Sequence, residues 1–207
     1  KRFAAEIINL LAYFKTNAYE TKFLDFGMGW GKWCLMAKAF GIDSYGMELS
    51  VERIEYAKKS GIKVISWDEV PDNQFDFINT EQVFEHIPAP LETMRHLSQA
   101  LKPNGIIKIS VPNGNDISNK LKVMDWGAKR KAKNSLMVVT PLEHINCYRT
   151  KSIITMGEKC GLENVEIPFT YIGFRSIKDF VKIAFRKPYY KHLKKGDTVL
   201  YFRKKRA

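Results

Sequence analysis

Phe23-Leu24-Asp25-Phe26-Gly27-Met28-Gly29-Trp30-Gly31 reads as an apolar strand that ends in an acidic residue and runs into glycine at every second position. The segment behind it reads as helix. Glycine adopts backbone angles closed to other residues and lets the main chain approach a ligand closely. A helix starting there would aim its free N–H groups at the same spot. This is the grammar of a nucleoside-binding turn; the plain alternative is a tight strand-to-helix connection.

Spacing separates two kinds of glycine turn. The dinucleotide version needs Gly-x-Gly-x-x-Gly, and it fails from Gly27 or Gly29 because Lys32 and Cys34 occupy the third glycine's place. Asp-x-Gly-x-Gly-x-Gly fits. In this the chain resembles the class I S-adenosylmethionine-dependent methyltransferases, whose ligand carries an amino acid moiety beside the turn. The resemblance implies that Asp25 lies close to that moiety and that Gly27, Gly29 and Gly31 shape its surroundings.

Further motifs follow in the order the same family has them. The strand Ser44-Tyr45-Gly46-Met47 ends at Glu48, a little over twenty residues after Asp25, where a carboxylate would accept hydrogen bonds from both ribose hydroxyls, with Leu49 beside it. Glu48 could equally open the helix over 51–60, where a negative charge suits the dipole. Trp67 and Asp68, after the third strand, would flank adenine. Phe75 to Pro88 resembles the family's fourth-strand motif, in particular the subgroup with a Glu-His-Val/Ile-Pro tail, here Glu85-His86-Ile87-Pro88. Asn79, Thr80, Glu81 and Gln82 would then line the floor beneath the methyl donor. An apolar-periodic helix over 91–101, a turn at Lys102-Pro103-Asn104-Gly105 and a buried strand over 106–111 complete the resemblance, which covers roughly residues 20–170.

The expected architecture is α/β: a Rossmann-like, doubly wound, mostly parallel seven-stranded sheet with an antiparallel last strand and helices on both faces. Strands are expected at 22–26, 44–48, 62–66, 75–80 and 106–111, alternating with helices, a pattern that implies parallel pairing with helical crossovers. A helix over 3–14 would cap the sheet or the cofactor, a helix over 151–160 follows the long middle segment, and strands at 165–169 and 198–203 would form the last, partly antiparallel pair. With 207 residues, 45% of them hydrophobic, the chain reads as one domain over 1–207, with 1–20 as its N-terminal cap. No apolar run reaches the length of a membrane span, and three widely spaced cysteines suggest reduced thiols, so a cytoplasmic location is expected.

The net charge of +12 is unevenly placed. From Phe174 onward, twelve Lys and Arg face only Asp179 and Asp197, whereas residues 1–173 are close to neutral. Lys120, Lys122, Lys129, Arg130, Lys131 and Lys133 form a second patch within 112–147. In the resembled family such segments, 112–147 and the insertion 170–197, cover the acceptor pocket. Arg175, Lys178, Lys182 and Arg186 recur at helical spacing beside Ile177, Val181, Ala184 and Phe185. That face suits an anionic membrane surface, or a surface helix docked on its own domain.

Methyl transfer from a sulfonium is an in-line displacement, helped most by positioning, and an alcohol acceptor must also lose a proton. Histidine suits that second task. His86 follows the fourth strand, and His144 lies in Glu143-His144-Ile145-Asn146-Cys147-Tyr148, which resembles the Glu-His-x-Asn-aromatic signature of the same subgroup. His144 is the expected general base, with His86 catalytic beside it or fixing the loop. Some relatives hold a divalent metal at Glu-x-x-Glu-His, and the matching positions are Gln82, Glu85 and His86, with His144 as a later ligand. Gln82 removes one anionic oxygen, so no metal is expected.

The expected activity is S-adenosylmethionine-dependent O-methylation of a small-molecule or glycan-precursor acceptor, phosphate-bearing if the basic lids contact it. An RNA acceptor is the enzymatic alternative, since positive charge alone binds nucleic acid, although no aromatic-interleaved RNA module is visible. A cofactor-binding scaffold without turnover is the non-enzymatic one.

Overall fold

In the computed structural model, residues 2–129, 132–140, 142–167 and 196–205 are described. Seven strands form one sheet: β1 (Lys22–Phe26), β2 (Asp43–Met47), β3 (Lys63–Val64), β4 (Phe75–Glu81), β5 (Leu101–Pro112), β6 (Leu162–Val165) and β7 (Asp197–Lys204), in the order β3-β2-β1-β4-β5-β7-β6. β7 runs antiparallel to both of its neighbours, and the pairs from β3 to β5 are parallel. The chain reverses its direction of growth between β1 and β4, which is where open α/β sheets bind ligands.

Two apolar layers sandwich the sheet. On one face, Phe23 of β1, Phe77 of β4 and Ile106 of β5 lie side by side in register. They pack under α1 (Arg2–Phe14) and α2 (Lys32–Ala39) through Ile7, Leu10, Trp33 and Ala37. The rings of Phe23 and Phe77 stack against Trp33 at 6.0 and 5.8 Å, each buried Phe contributing about 1.5–3 kcal/mol. α3 (Val51–Lys59) joins this side through Ala57, against Met28, Cys34 and Ile62. The alternate residues Leu24, Phe26, Ile78, Ile107 and Ile109 face the other way, toward Met94 and Leu97 of α4 (Pro90–Gln99) and Ile153 of α6 (Thr150–Lys159). A short helix, α5 (Ile117–Val123), stands in the middle segment.

Most elements fall within two residues of expectation. The turn expected at 102–105 instead belongs to β5, where Phe75 pairs with Leu101 and Phe77 with Ile106, so the segment bulges out opposite Asp76. The third strand shrinks to two residues, and β6 begins and ends earlier than the expected 165–169. The basic helix expected within 175–186, and nearly all of the insertion 170–197, lie outside the described residues.

Candidate active site

Two residues further along the same face, the apolar row gives way to a polar one. Asp25, Asn79 and Lys108 are paired in register across β1, β4 and β5. Asn79 Nδ2 donates to Asp25 Oδ1 at 2.7 Å, and Lys108 Nζ donates to Asn79 Oδ1 at 3.0 Å, to Glu81 Oε2 at 2.6 Å and to Glu6 Oε1 at 2.7 Å. Trp33 Nε1 donates to the other oxygen of Glu6 at 3.1 Å, and Arg2 pairs with Glu81. Burial pushes the Asp25 carboxyl up to about 7, opposed by the Asn79 bond and the Lys108 charge. The same burial, with Asp25 beside it, drives the Cys34 thiol well above its usual range, so that thiol stays protonated.

Above this row lies a cavity of about 240 Å³, lined by Phe3 of α1, Asp25, the turn at Gly27–Trp30, Lys32, Trp33, Asn79 and Glu81. Gly27, Gly29 and Gly31 all have positive φ. The turn hangs on β2: Gly27 and Met28 N–H both donate to Met47 O, and Gly29 N–H donates to Glu48 Oε2 at 2.9 Å. Glu48 Oε1 accepts from the N–H groups of Leu49 and Ser50, while Arg53 stands 3.7 Å from Oε2. Glu48 therefore stands just past the end of β2 next to the turn, and it holds the Leu49–Ser50 link that leads into α3 without capping that helix.

Asn79 and Glu81 line the cavity, whereas Thr80 and Gln82 are not among its lining residues. Strand alternation turns Thr80 to the opposite face, where it is fully buried and its hydroxyl donates to Lys108 O at 2.8 Å. Gln82 adopts a positive φ of 57° and its N–H donates to Ser110 O. Leu49 is almost fully exposed at 86%. Trp67 packs flat on His96, 3.7 Å between ring centroids, and His96 Nε2 bonds Trp67 O, which gives His96 a structural task; Asp68 is exposed.

A second cluster begins just past β4. The Glu143–Tyr148 string is laced onto the turn Phe84–His86: Asn146 N–H donates to Glu85 O, Asn146 Nδ2 to Ile87 O at 2.6 Å, and the Tyr148 hydroxyl to Phe84 O at 3.2 Å. These bonds explain physically why an Asn and an aromatic follow the histidine. His86 Nδ1 lies 2.5 Å from Glu143 O; a carbonyl only accepts, so Nδ1 carries the proton and Nε2 is left as a base or ligand. The rings of His86 and His144 meet edge to face at 5.0 Å. Glu85 is 1% exposed; among the described residues neither of its carboxylate oxygens has a hydrogen-bond partner, His86 Nε2 standing 4.0 Å from Oε1, and His144 Nδ1 is likewise without one. Burial raises the Glu85 carboxyl to about 7. One ligand atom from each of Glu85, His86 and His144 falls within 4.8 Å of the others. In the sequence Glu85 stands out only within the Glu-His-Ile-Pro tail and as a metal match, Phe3 and Glu6 only as members of the cap helix, and Arg2 not at all; the one local signal for Lys108 is a lysine inside the apolar run Ile106–Ile109.

A family profile described as Methyltransferase domain matches residues 1–167. The ubiquinone biosynthesis O-methyltransferase of Colwellia psychrerythraea (strain 34H / ATCC BAA-681) is 23% identical over 166 residues, 73% of this chain and 65% of that protein. The chain spans from about half to just under two thirds of the length of the curated relatives it matches. Among solved structures, PKMT2 from Rickettsia typhi in complex with AdoHcy has a TM-score of 0.63 at 17% identity, over 98% of this chain and 54% of that one. A TehB-like SAM-dependent methyltransferase from Corynebacterium glutamicum has a TM-score of 0.59 at 17% identity, over 98% and 88%. With the glycine turn, the strand order and the profile match in agreement, the chain belongs to the methyltransferase domain family and has the class I S-adenosylmethionine-dependent methyltransferase fold.

Proposed function

We propose that this protein transfers a methyl group from S-adenosylmethionine to a hydroxyl of a small-molecule acceptor. The observation that carries the reading is the cavity between the turn at 27–31 and the Asp25–Asn79 pair, at the point where the sheet reverses its order. Among the described residues nothing lies within 4 Å of where a Cβ on Gly29 would stand, so its backbone is open to a ligand. The amino acid end of the cofactor would enter this cavity and its ribose would meet Glu48. Oxygen as the acceptor atom is supported by the similarity to ubiquinone biosynthesis O-methyltransferases. A glycan precursor or another anionic metabolite suits the lysines of 112–147; RNA is less favoured, because no aromatic-interleaved RNA module is visible in the chain. Contact of the tail segment with an anionic membrane remains part of the same proposal.

His144 would take the acceptor proton, oriented by the string it lies in, with His86 beside it. Transfer of label from tritiated S-adenosylmethionine into lipid, glycan, small-molecule, RNA and protein fractions of a cell extract tests this. Label in the small-molecule, lipid or glycan fraction is expected. Label confined to RNA would move the acceptor, and cofactor binding without label anywhere would favour a scaffold.

A second reading has its own observation. The oxygens of buried Glu85 and the Nδ1 of His144, without hydrogen-bond partners among the described residues, and the Nε2 of His86, 4.0 Å from Glu85 Oε1, make a donor set that fits a divalent transition metal. Such an ion would lower the pKa of an acceptor hydroxyl. Loss of transfer after stringent chelation, restored by added metal, would support it; full activity after chelation would remove it.

A further inference from the structure

Parallel strands buried on both faces are normally apolar throughout. β5 breaks that rule at Lys108, whose side chain is 2% exposed in the middle of the sheet. An ammonium has three donors and no acceptor. Here all three are used, on Asn79 Oδ1, Glu81 Oε2 and Glu6 Oε1.

Two consequences reach the cavity. The first concerns Asn79. Because Lys108 can only donate, Asn79 must turn its oxygen toward Lys108, which leaves its Nδ2 for Asp25. Without the lysine, the amide could flip and set oxygen against oxygen. The second concerns α1. Glu6 and Arg2 belong to this helix, and Glu81 to the cavity wall, so one buried cation ties floor, wall and roof, with Phe3 lining the cavity from the roof.

We propose that Lys108 is a positioning residue of the donor site: it fixes the Asn79 amide so that Asp25 faces the cavity as a hydrogen-bonded acceptor, and through Glu6 and Glu81 it holds α1 across the cavity. The inference rests on the donor-site reading above. Lys108 is absent from the cavity lining, so its effect on the cofactor passes through Asn79, Glu81 and Glu6.

The charged and titratable groups facing Asp25 are Glu6 of α1, with Arg2 acting through Glu81; Lys32 and Cys34 of α2; Glu81 of β4; and Lys108 of β5. Of these, Lys108 favours the ionised carboxylate while Glu6 and Glu81 oppose it. Removing the lysine therefore moves the ionisation of Asp25 to higher pH, a change that simple loosening of a core would not cause.

The test is Lys108→Met, with binding of S-adenosylhomocysteine measured by calorimetry from pH 6 to 9 and proteolysis within residues 2–14 followed in parallel. The expected result is affinity about fivefold weaker near pH 7, approaching about tenfold below it, as a midpoint about one pH unit higher requires, with faster cleavage in α1. Should the single variant fail to fold, Lys108→Met/Glu6→Gln leaves one buried carboxylate fewer without its counterion; it is expected to fold with weakened binding and a smaller upward shift of the midpoint, because Glu6 itself opposes ionisation of Asp25. Wild-type affinity and midpoint in whichever variant folds would overturn the proposal. Asp25→Ala separates the two levels: if it binds like wild type, the donor-site reading itself is wrong. If Asp25→Ala loses binding while the Lys108 variant keeps it, only the positioning role falls.

Discussion

At the scale of single residues, the three glycines of the turn do different work. A Cβ on Gly27 would stand 2.5 Å from Val83 Cγ2, and one on Gly31 would stand 2.3 Å from Ile62 Cδ1, the movable end of a side chain. One on Gly29 would meet nothing among the described residues. Gly29→Ala should therefore suffer only left-handed backbone strain of about 1–2 kcal/mol, lowering the melting temperature by roughly 2–8 °C. Its methyl group would project into ligand space, so calorimetry should show S-adenosylhomocysteine binding at least about tenfold weaker. Gly27→Ala should melt lower than Gly29→Ala, because Val83 is β-branched and cannot swing aside. At the second cluster, His144→Gln should slow single-turnover transfer by about 10²–10⁴-fold with cofactor affinity unchanged, and an unchanged rate would exclude it as the base. Asp25, the glycines and Glu48 were legible because their chemistry is local in sequence. Lys108 and Glu6 acquire meaning only through cross-strand register and helix docking, which spacing along one chain does not encode.

Among the elements, the joint between the string 143–148 and the turn 84–86 is the one on which the proposed chemistry depends. Gly114, just past β5, presses on that joint: a Cβ there would come within 2.6 Å of Tyr148 O and of Cys147 Sγ. Its N–H also donates to Tyr148 O at 2.9 Å. The first contact is with backbone, so Gly114→Ala must displace the string that carries His144. Transfer activity is expected to fall by about tenfold or more, since small misplacements of reacting groups are costly. Cofactor affinity should stay within about twofold, because no atom of the 27–31 turn is involved. Equal loss of both would mean that the two clusters are one mechanical unit. Helices were legible at this scale because their apolar spacing and starts agree; α4, for example, opens with Pro90 and Glu92 in its first turn. The 102–105 segment misled for a physical reason: proline and glycine mark a bend, but a bulge bends a strand without ending it.

For the whole molecule, the mostly parallel sheet with an antiparallel last strand was legible in the alternation of strands and helices together with the family resemblance, whereas the placement of buried charge was not. That placement sets how stability responds to pH. Asp25 is pushed from its ordinary 3.8 up to about 7 by burial, so the folded chain holds this proton more tightly than the unfolded one. A carboxyl raised in this way contributes stability that is fully present below the unfolded pKa and is lost as pH rises through the folded one. The ligand-free protein should therefore become less stable between about pH 4 and 7, then level off. Glu85, raised for the same reason, moves stability in the same direction. Glu81 is lowered, by Lys108 and Arg2 against the pull of burial, so its contribution changes only below its ordinary 4.5 and leaves the upper part of the window clear. Urea midpoints at pH 5 and pH 7.5 are the measurement, with the lower midpoint expected at pH 7.5. Asp25→Asn removes the titrating group while keeping its shape, and should reduce the difference between the two midpoints. A saturating ligand should reduce it as well, if an ammonium held beside Asp25 stabilises the ionised form. A wild-type midpoint that rises from pH 5 to 7.5 would mean that Asp25 is already charged in the empty site, and that the polar row beneath the cavity is set for a cation before one arrives.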